Sequence, residues 1–195
     1  MSKLKKIIEF KIAADGSSAS GKTTGCYLIS KKLKMKFLSS GLLYRYCALK
    51  ILENNNFYNL KLINKISKSI TLKKLNNKKL FTPEVAQLSS LIAKKPFVRK
   101  ALKNFQKNFI NSSKLVVVEG RDIGSKIMPN ADLKLFFTCS VKEKAKRRLK
   151  EFKLINEKVT LKQVEKALIK RDNEDVKRKI SPLIMVKNAV LVDTT

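Results

Sequence analysis

Histidine is absent from this chain of 195 residues, which removes imidazole as a general base, proton shuttle or metal ligand. Cysteine is scarce: Cys26, Cys47 and Cys139 form no C-x-x-C pair and are odd in number. Neither a disulfide framework nor a zinc site follows, and a reducing, cytoplasmic setting is expected. The three thiols read as small packing residues. Acidic side chains are few, 15 Asp and Glu against 44 Lys and Arg, for a formal charge of +29. No apolar stretch approaches membrane-spanning length. The segment from Met1 to Lys6 runs straight into an apolar run and leaves no room for a leader. At 44% hydrophobic residues, the chain has material for one domain with a real core.

Arginine is the informative scarcity. Only seven of the 44 basic residues are Arg: Arg45, Arg99, Arg121, Arg147, Arg148, Arg171 and Arg178. The rest are lysines scattered through an Asn- and Ile-rich sequence, as AT-biased coding places them at indifferent surface sites. The charge is therefore read as a solvated surface, with no specific nucleic-acid partner expected. Where lysine is the default cation, an arginine marks a position that needs a planar fork to grip phosphate or carboxylate.

Residues 16–24 read Gly16-Ser17-Ser18-Ala19-Ser20-Gly21-Lys22-Thr23-Thr24, the phosphate-cradling pattern G-x-x-x-x-G-K-[ST]. The two glycines free the backbone to turn successive N–H groups inward. Lys22 is placed to reach the outer phosphates of a nucleoside triphosphate, and the Thr23 hydroxyl to hold Mg²⁺. A strand-like run from Ile7 to Ala14 precedes this P-loop. A helical pattern to Lys34 follows it, with Cys26, Ile29 and Leu33 on one face.

Further along, Phe37–Ser40 reads as a short strand, residues 42–53 as a helix, and residues 58–69 as a helix with Leu60, Ile63 and Ile66 inward. Residues 70–80 suggest a small hairpin turning at Asn76-Asn77. Thr82-Pro83-Glu84 starts one helix and Pro96 another, the second striped by Val98, Leu102, Phe105 and Phe109. The apolar runs 115–118, 133–137 and 189–192 are strands, and the charged stretches 141–156 and 160–177 are helices. Strands alternating with helices predict an α/β fold built on a parallel sheet. Residues 41–113 and 145–180 interrupt that rhythm and are expected to be excursions from a core of about 1–40, 114–140 and 181–195.

Three constellations gather the arginines. Ser40-Gly41-Leu42-Leu43-Tyr44-Arg45 presents a ring and a guanidinium beside a glycine turn. Glu119-Gly120-Arg121-Asp122-Ile123-Gly124 follows an apolar strand, where open α/β sheets bind ligands; Asp122 is placed to orient Arg121 or to accept from a base. Arg171, Asp175 and Arg178, spaced i, i+4 and i+7, share one helical face. With Arg147 and Arg148 they are expected to close over a triphosphate and neutralise charge on the transferring group.

Together these segments resemble bacterial cytidylate kinases, a branch of the nucleoside-monophosphate kinases with the three-layer P-loop NTPase fold. The matching segments include Ser40-Gly41-x-x-Tyr44-Arg45, Pro83-Glu84-Val85-Ala86 with Ser89-Ser90, Pro96-x-Val98-Arg99 and Gly120-Arg121-Asp122-Ile123-Gly124. Pro129-x-Ala131-Asp132-x-Lys134 and Arg171-Asp172-x-x-Asp175-x-x-Arg178-x-x-Ser181-Pro182-Leu183 complete the set in family order. The resemblance implies ATP-dependent, Mg²⁺-assisted phosphorylation of CMP and dCMP by a monomeric enzyme. Ser90 and Arg99 would recognise cytosine with Asp122 nearby, and Asp175 would contact the sugar. Arg45, Arg121, Arg171 and Arg178 would hold the acceptor phosphate, with Ser40 and Tyr44 beside them. Residues 41–113 would be the monophosphate-binding region and 145–180 the lid, carrying Arg147 and Arg148. Three positions depart from the family pattern: Ser39 and Glu119, where aspartates are usual, and Phe81, where an arginine is common. A kinase of UMP or another small acceptor, and an RNA-associated nucleotide-binding protein, stay open as alternatives at this level.

Overall fold

The computed structural model describes residues 9–55, 58–153 and 159–195. Its strands are β1 (Phe10–Gly16), β2 (Lys36–Ser39), β3 (Leu115–Gly120), β4 (Leu133–Thr138) and β5 (Val190–Asp193). All pair in parallel in the order β2-β3-β1-β4-β5. Val116, Val117 and Val118 of β3 and Ile12, Ala13 and Ala14 of β1 are buried on both faces of the sheet, which is why these segments read as continuous apolar runs. The third apolar run behaves differently: β5 is an edge strand with Val190 and Leu191 about half exposed. Expected strand residues 7 and 8 lie outside the described residues.

Helices α1 (Lys22–Lys32), α2 (Ser40–Leu52), α3 (Leu60–Lys68), α4 (Leu72–Leu75), α5 (Pro83–Ile92), α6 (Pro96–Asn111), α7 (Val141–Lys153) and α8 (Leu161–Lys177) accompany the sheet. One face of the sheet packs under α2, α3, α5 and α6 through Leu38, Leu43, Ile51, Ile63, Leu102 and their neighbours. The other face covers Cys26 of α1 with Ile12, Val117 and Phe137. Helices α7 and α8 form a small core of their own from Ala145, Val164 and Leu168, against which Ala19 packs. The α/β class and the parallel sheet are as the sequence predicts.

Several local expectations are corrected. Residues 70–80 form no hairpin. Thr71 caps the single turn α4 through Lys74 N, and Asn77 caps a 3₁₀ turn at Lys78–Phe81 through Lys79 N. Short polar caps beside lysines satisfy backbone donors locally, and a two-stranded pair this small has no face to bury. Helix α1 stops at Lys32, so Leu33 sits at its end, half exposed, because the chain turns left-handed at Lys34. In α3, Ile63 and Ile66 point inward but Leu60, in the first turn, faces solvent.

Sheet register sets the site. Ala14 lies opposite Glu119, Asp15 opposite Gly120, and Ser39 opposite Glu119. The carboxyl ends of three adjacent strands therefore deliver Asp15-Gly16, Ser39-Ser40 and Glu119-Gly120 to one level. Open parallel sheets bind ligands at that edge.

Candidate active site

The loop leaving β1 is shaped by backbone alone. A Cβ on Gly16 would run into the Phe137 carbonyl, and its φ of 152° lies where L side chains rarely go. Ala19 (φ 57°) and Gly21 (φ 73°) then take left-handed conformations, alternating the peptide directions so that N–H groups line a concave nest. Helix α1 begins at once on Gly21, with no side chain capping its first turn and no acidic residue in it. Its free N–H groups and dipole leave an anion site.

Behind the nest lies the carboxylate that opens the Glu119–Gly124 segment. Glu119 is almost wholly buried and accepts hydrogen bonds from Lys22 Nζ at 2.5 Å, Thr23 Oγ1 at 3.0 Å and Ser39 Oγ. Burial alone would push this carboxyl up, but the Lys22 charge and the bonds from Lys22 and Ser39 outweigh it and hold the group below its usual range. The available signal was positional: an acid ending a buried strand next to the P-loop strand.

Asp15 is a second carboxylate, one that sequence reasoning gave no role. At the end of β1 it accepts from Ile123 N at 2.8 Å and Gly124 N at 2.7 Å, fastening the wide π-helical turn at Ile123–Ile127 and aiming the Arg121-Asp122 pair before it. Burial outweighs these two amide bonds and pushes the Asp15 carboxyl up to about 6. The folded chain thus holds this proton more tightly than the unfolded chain, where aspartate titrates near 3.9. The contribution to stability is present below about pH 4 and is lost as pH rises through about 6. Two pKa units correspond to about 3 kcal/mol. Relative to Asp15→Asn, which does not titrate, wild-type unfolding free energy is expected to fall by about that amount between about pH 4 and pH 7. Urea titrations of both proteins across that range check it, and a constant difference would contradict it.

The nest opens into a cleft of about 930 Å³. Its walls hold Ser17 to Thr24 of the loop, then Ser40, Tyr44, Arg45, Ser90, Arg99, Arg121, Asp122, Arg147, Arg148, Arg171, Asp175 and Arg178. Every candidate site residue lines this one space except Gly16, which stands behind it at the strand end. Sequence reasoning had not singled out Lys78 or Glu151, also on the walls, and had noted Phe81 only as a departure.

Partnerships within the cleft differ from sequence proximity. Asp122 does not orient Arg121; it pairs with Arg99, whose guanidinium also donates to Ala93 O and lies 5.5 Å from the Tyr44 ring centroid. Arg121 instead donates through Nε to Asp175 Oδ2 at 2.9 Å. Adjacent side chains leave the backbone in different directions, so neighbours in sequence separate in space. Arg178 is not on the α8 face with Arg171 and Asp175, because it is the residue where the helix ends. It still reaches Asp175 Oδ1 at 3.4 Å and donates to Ser181 O, which a left-handed Ser181 (φ 51°) turns toward it.

The clamp is short of negative charge. Arg45, anchored on Leu80 O at 2.7 Å and lying over the Phe81 ring, is pushed down to about 9 by burial and by the charges of Arg171, Arg148 and Arg121. Arg171 falls to about 10, by burial and the Arg121 charge. Among the described residues, Arg171 Nε and Arg178 Nη2 are buried without a partner. Crowded guanidiniums with unmet donors describe a seat for a polyanion. On the loop side, Arg148 donates to Ser18 Oγ at 3.4 Å and to Glu151. Arg147 is bound to Thr194, whose hydroxyl donates to Ser20 O.

A family model described as cytidylate kinase matches residues 12–195. The chain is 38% identical to a cytidylate kinase of Thermotoga petrophila, over 95% of this chain and 90% of that protein. It is 37% identical to a cytidylate kinase of Aquifex aeolicus, over 95% and 88%. A crystal structure of an uncharacterized protein from Eubacterium ventriosum shares the fold, with a TM-score of 0.53 at 14% identity over 94% of this chain and 86% of that one. The chain belongs to the cytidylate kinase family.

Proposed function

We propose that the protein transfers the γ-phosphoryl group of ATP to CMP, and to dCMP, giving ADP and the corresponding diphosphate. The observation that carries this reading is one cleft with two kinds of anion seat: a P-loop nest on one side and a guanidinium clamp with unpaired donors on the other. The ATP phosphates lie in the nest against Lys22, with Ser17 to Thr24 around them and Arg147 and Arg148 at the lid. The acceptor phosphate lies between Arg45, Arg121, Arg171 and Arg178, beside Ser40. One of its oxygens attacks the γ-phosphorus in line while the bond to the ADP oxygen breaks. The attacking group is already an anion, so no general base is needed, in keeping with a chain that has no histidine. Catalysis is then positioning and electrostatic stabilisation in a cleft that the lid closes to water.

The residues fit Mg²⁺ as a companion of ATP. Thr23 Oγ1 and the Glu119 carboxylate are hard oxygen donors at the mouth of α1. Among the described residues no cluster of three or more acidic, His or Cys side chains could hold a metal alone. Thr23 and Glu119 would hold Mg²⁺ through one or two protein oxygens, with phosphates and water completing its shell. Mg²⁺ would supply charge neutralisation to the triphosphate. Residues 41–113 serve as the acceptor-binding excursion and 145–180 as the lid, around the core 1–40, 114–140 and 181–195. No helix among the described residues is long and apolar enough to cross a membrane.

Base choice rests on Asp122 with Arg99 and Ser90. A carboxylate accepts from the exocyclic amine of cytosine and faces the carbonyl of uracil with like polarity, while Arg99 donates to the ring acceptors. Asp175 takes a sugar hydroxyl on a remaining lone pair. Asp122→Asn removes the charge but keeps the shape. It is expected to lower the preference for CMP over UMP in kcat/KM by about 100-fold. Steady-state kinetics with both acceptors check this; an unchanged ratio in a folded variant would remove Asp122 from base recognition.

A further inference from the structure

One partly buried ion pair belongs to neither seat. Asp172 of α8 accepts from the backbone N–H of Ser18, inside the P-loop, at 3.0 Å, and from Lys144 Nζ of α7 at 2.5 Å. Lys144 also reaches Ser17 Oγ at 3.4 Å, and its side chain is only 7% exposed. Neither Lys144 nor Asp172 lines the cleft, although Ser17, Ser18, Arg148 and Arg171 beside them do. Their position is therefore behind the reacting groups, at the seam between the P-loop and the two lid helices. Ala19 packs on the lid core at the same seam, so the contact is both polar and apolar.

A carboxylate close behind a triphosphate seat would repel the ligand if it stood alone. Lys144 balances that charge from a largely buried position, where screening is weaker than at the open surface. What Asp172 gains is a direct bond from lid helix to loop backbone. Three residues further along the same helix, Asp175 holds Arg121 and Arg178 of the acceptor clamp, and Arg171 offers its unpaired Nε there. A single rigid helix thus carries one carboxylate to the donor seat and another to the acceptor seat.

Resting on the kinase reading above, we propose that Asp172, charge-balanced by Lys144, is a positioning residue that couples the two nucleotide sites through α8. Phosphates seated in the nest fix Ser18, Ser18 fixes Asp172, and α8 then holds Asp175 and its arginines in place for the acceptor. Linkage makes the effect reciprocal: a bound acceptor tightens donor binding by the same factor.

The test is calorimetric titration of the non-transferable donor β,γ-imido-ATP with Mg²⁺, with and without saturating CMP. For the wild-type chain, CMP is expected to lower the donor Kd about fivefold or more. Asp172→Ala is expected to bring that ratio to about one, while CMP measured alone binds within about twofold of wild type because the clamp arginines remain. Asp172→Asn, which keeps an oxygen for the Ser18 N–H and is gentler on folding, is expected to retain most of the coupling. A purely structural ion pair would lower stability and leave the ratio unchanged. Coupling that survives Asp172→Ala, or both nucleotides binding wild type without coupling, overturns this inference alone. No CMP binding to wild type overturns the acceptor reading and the inference with it.

Discussion

Replacing Lys22 with Ala is expected to lower turnover by about 1,000-fold and, separately, to destabilise the protein. The first effect follows from losing the ammonium at the nest floor, where charge develops between transferring and leaving groups. The second follows from burial. Lys22 is 5% exposed and its partner Glu119 3%, so the substitution strands a carboxylate in low dielectric. Breaking a buried pair from one side costs about 3–5 kcal/mol. The two effects separate in the double variant Lys22→Met/Glu119→Gln, which has no stranded charge. It is expected to recover most of the stability and none of the turnover. Urea unfolding beside single-turnover kinetics checks both; recovered turnover in the double variant would mean that Lys22 acts only as Glu119's counter-ion.

The second large effect is expected at Arg121. Its Nε is committed to Asp175 and one terminal nitrogen to Gly120 O, which leaves the rest of the fork for the acceptor phosphate. Burial opposes its charge, but Asp175 and Glu119 outweigh that and raise its pKa above the usual value; it is positively charged at any working pH. Arg121→Lys keeps a charge but replaces the planar fork, whose Nε and terminal nitrogens serve Asp175 and the phosphate separately, with a single ammonium point. It is expected to lower kcat/KM for CMP by about 100-fold, with smaller change in the KM for ATP. Arg121→Ala adds a stability loss of a few kcal/mol, because Asp175 is left half-paired in a buried site. A Lys variant with wild-type kinetics would place the phosphate elsewhere in the cleft.

The parts of this site that were legible in the sequence are those fixed by one short segment or by one residue type. Gly16 and Gly21 are demanded by local backbone geometry, so the P-loop could be read before any tertiary contact. The arginines stood out because lysine fills nearly every other basic position. What escaped was pairing at a distance. Asp15 finds its amides 108 and 109 residues away, and Glu119 meets Lys22 97 residues away. Only the register of β1, β2 and β3 brings these together. Of the two roles open to Asp122 in the sequence, orienting its neighbour Arg121 is excluded because side-chain direction gives it to Arg99. The stretch around 70–81 misled because Asn76-Asn77 between two short Leu- and Lys-bearing runs reads as a hairpin turn. Thr71 and Asn77, as helix caps, were the signal that decides it.

Ser39 and Glu119 belong together in this light. The Ser39 hydroxyl donates to Glu119, so a short neutral side chain on β2 faces a longer acid on β3 at the same register position. The two departures from the family pattern thus form one satisfied contact beside the nest. Phe81 likewise has a partner, lying under the Arg45 guanidinium, where a ring steadies the cation without competing for the acceptor's charge.

The most direct measurement is ADP release from ATP and Mg²⁺ with CMP, dCMP, UMP, AMP and GMP offered singly as acceptors. Strong release with CMP and dCMP, and little with the other three, is the expected result. Release with UMP equal to that with CMP, or none with CMP, would contradict the assignment of the cleft.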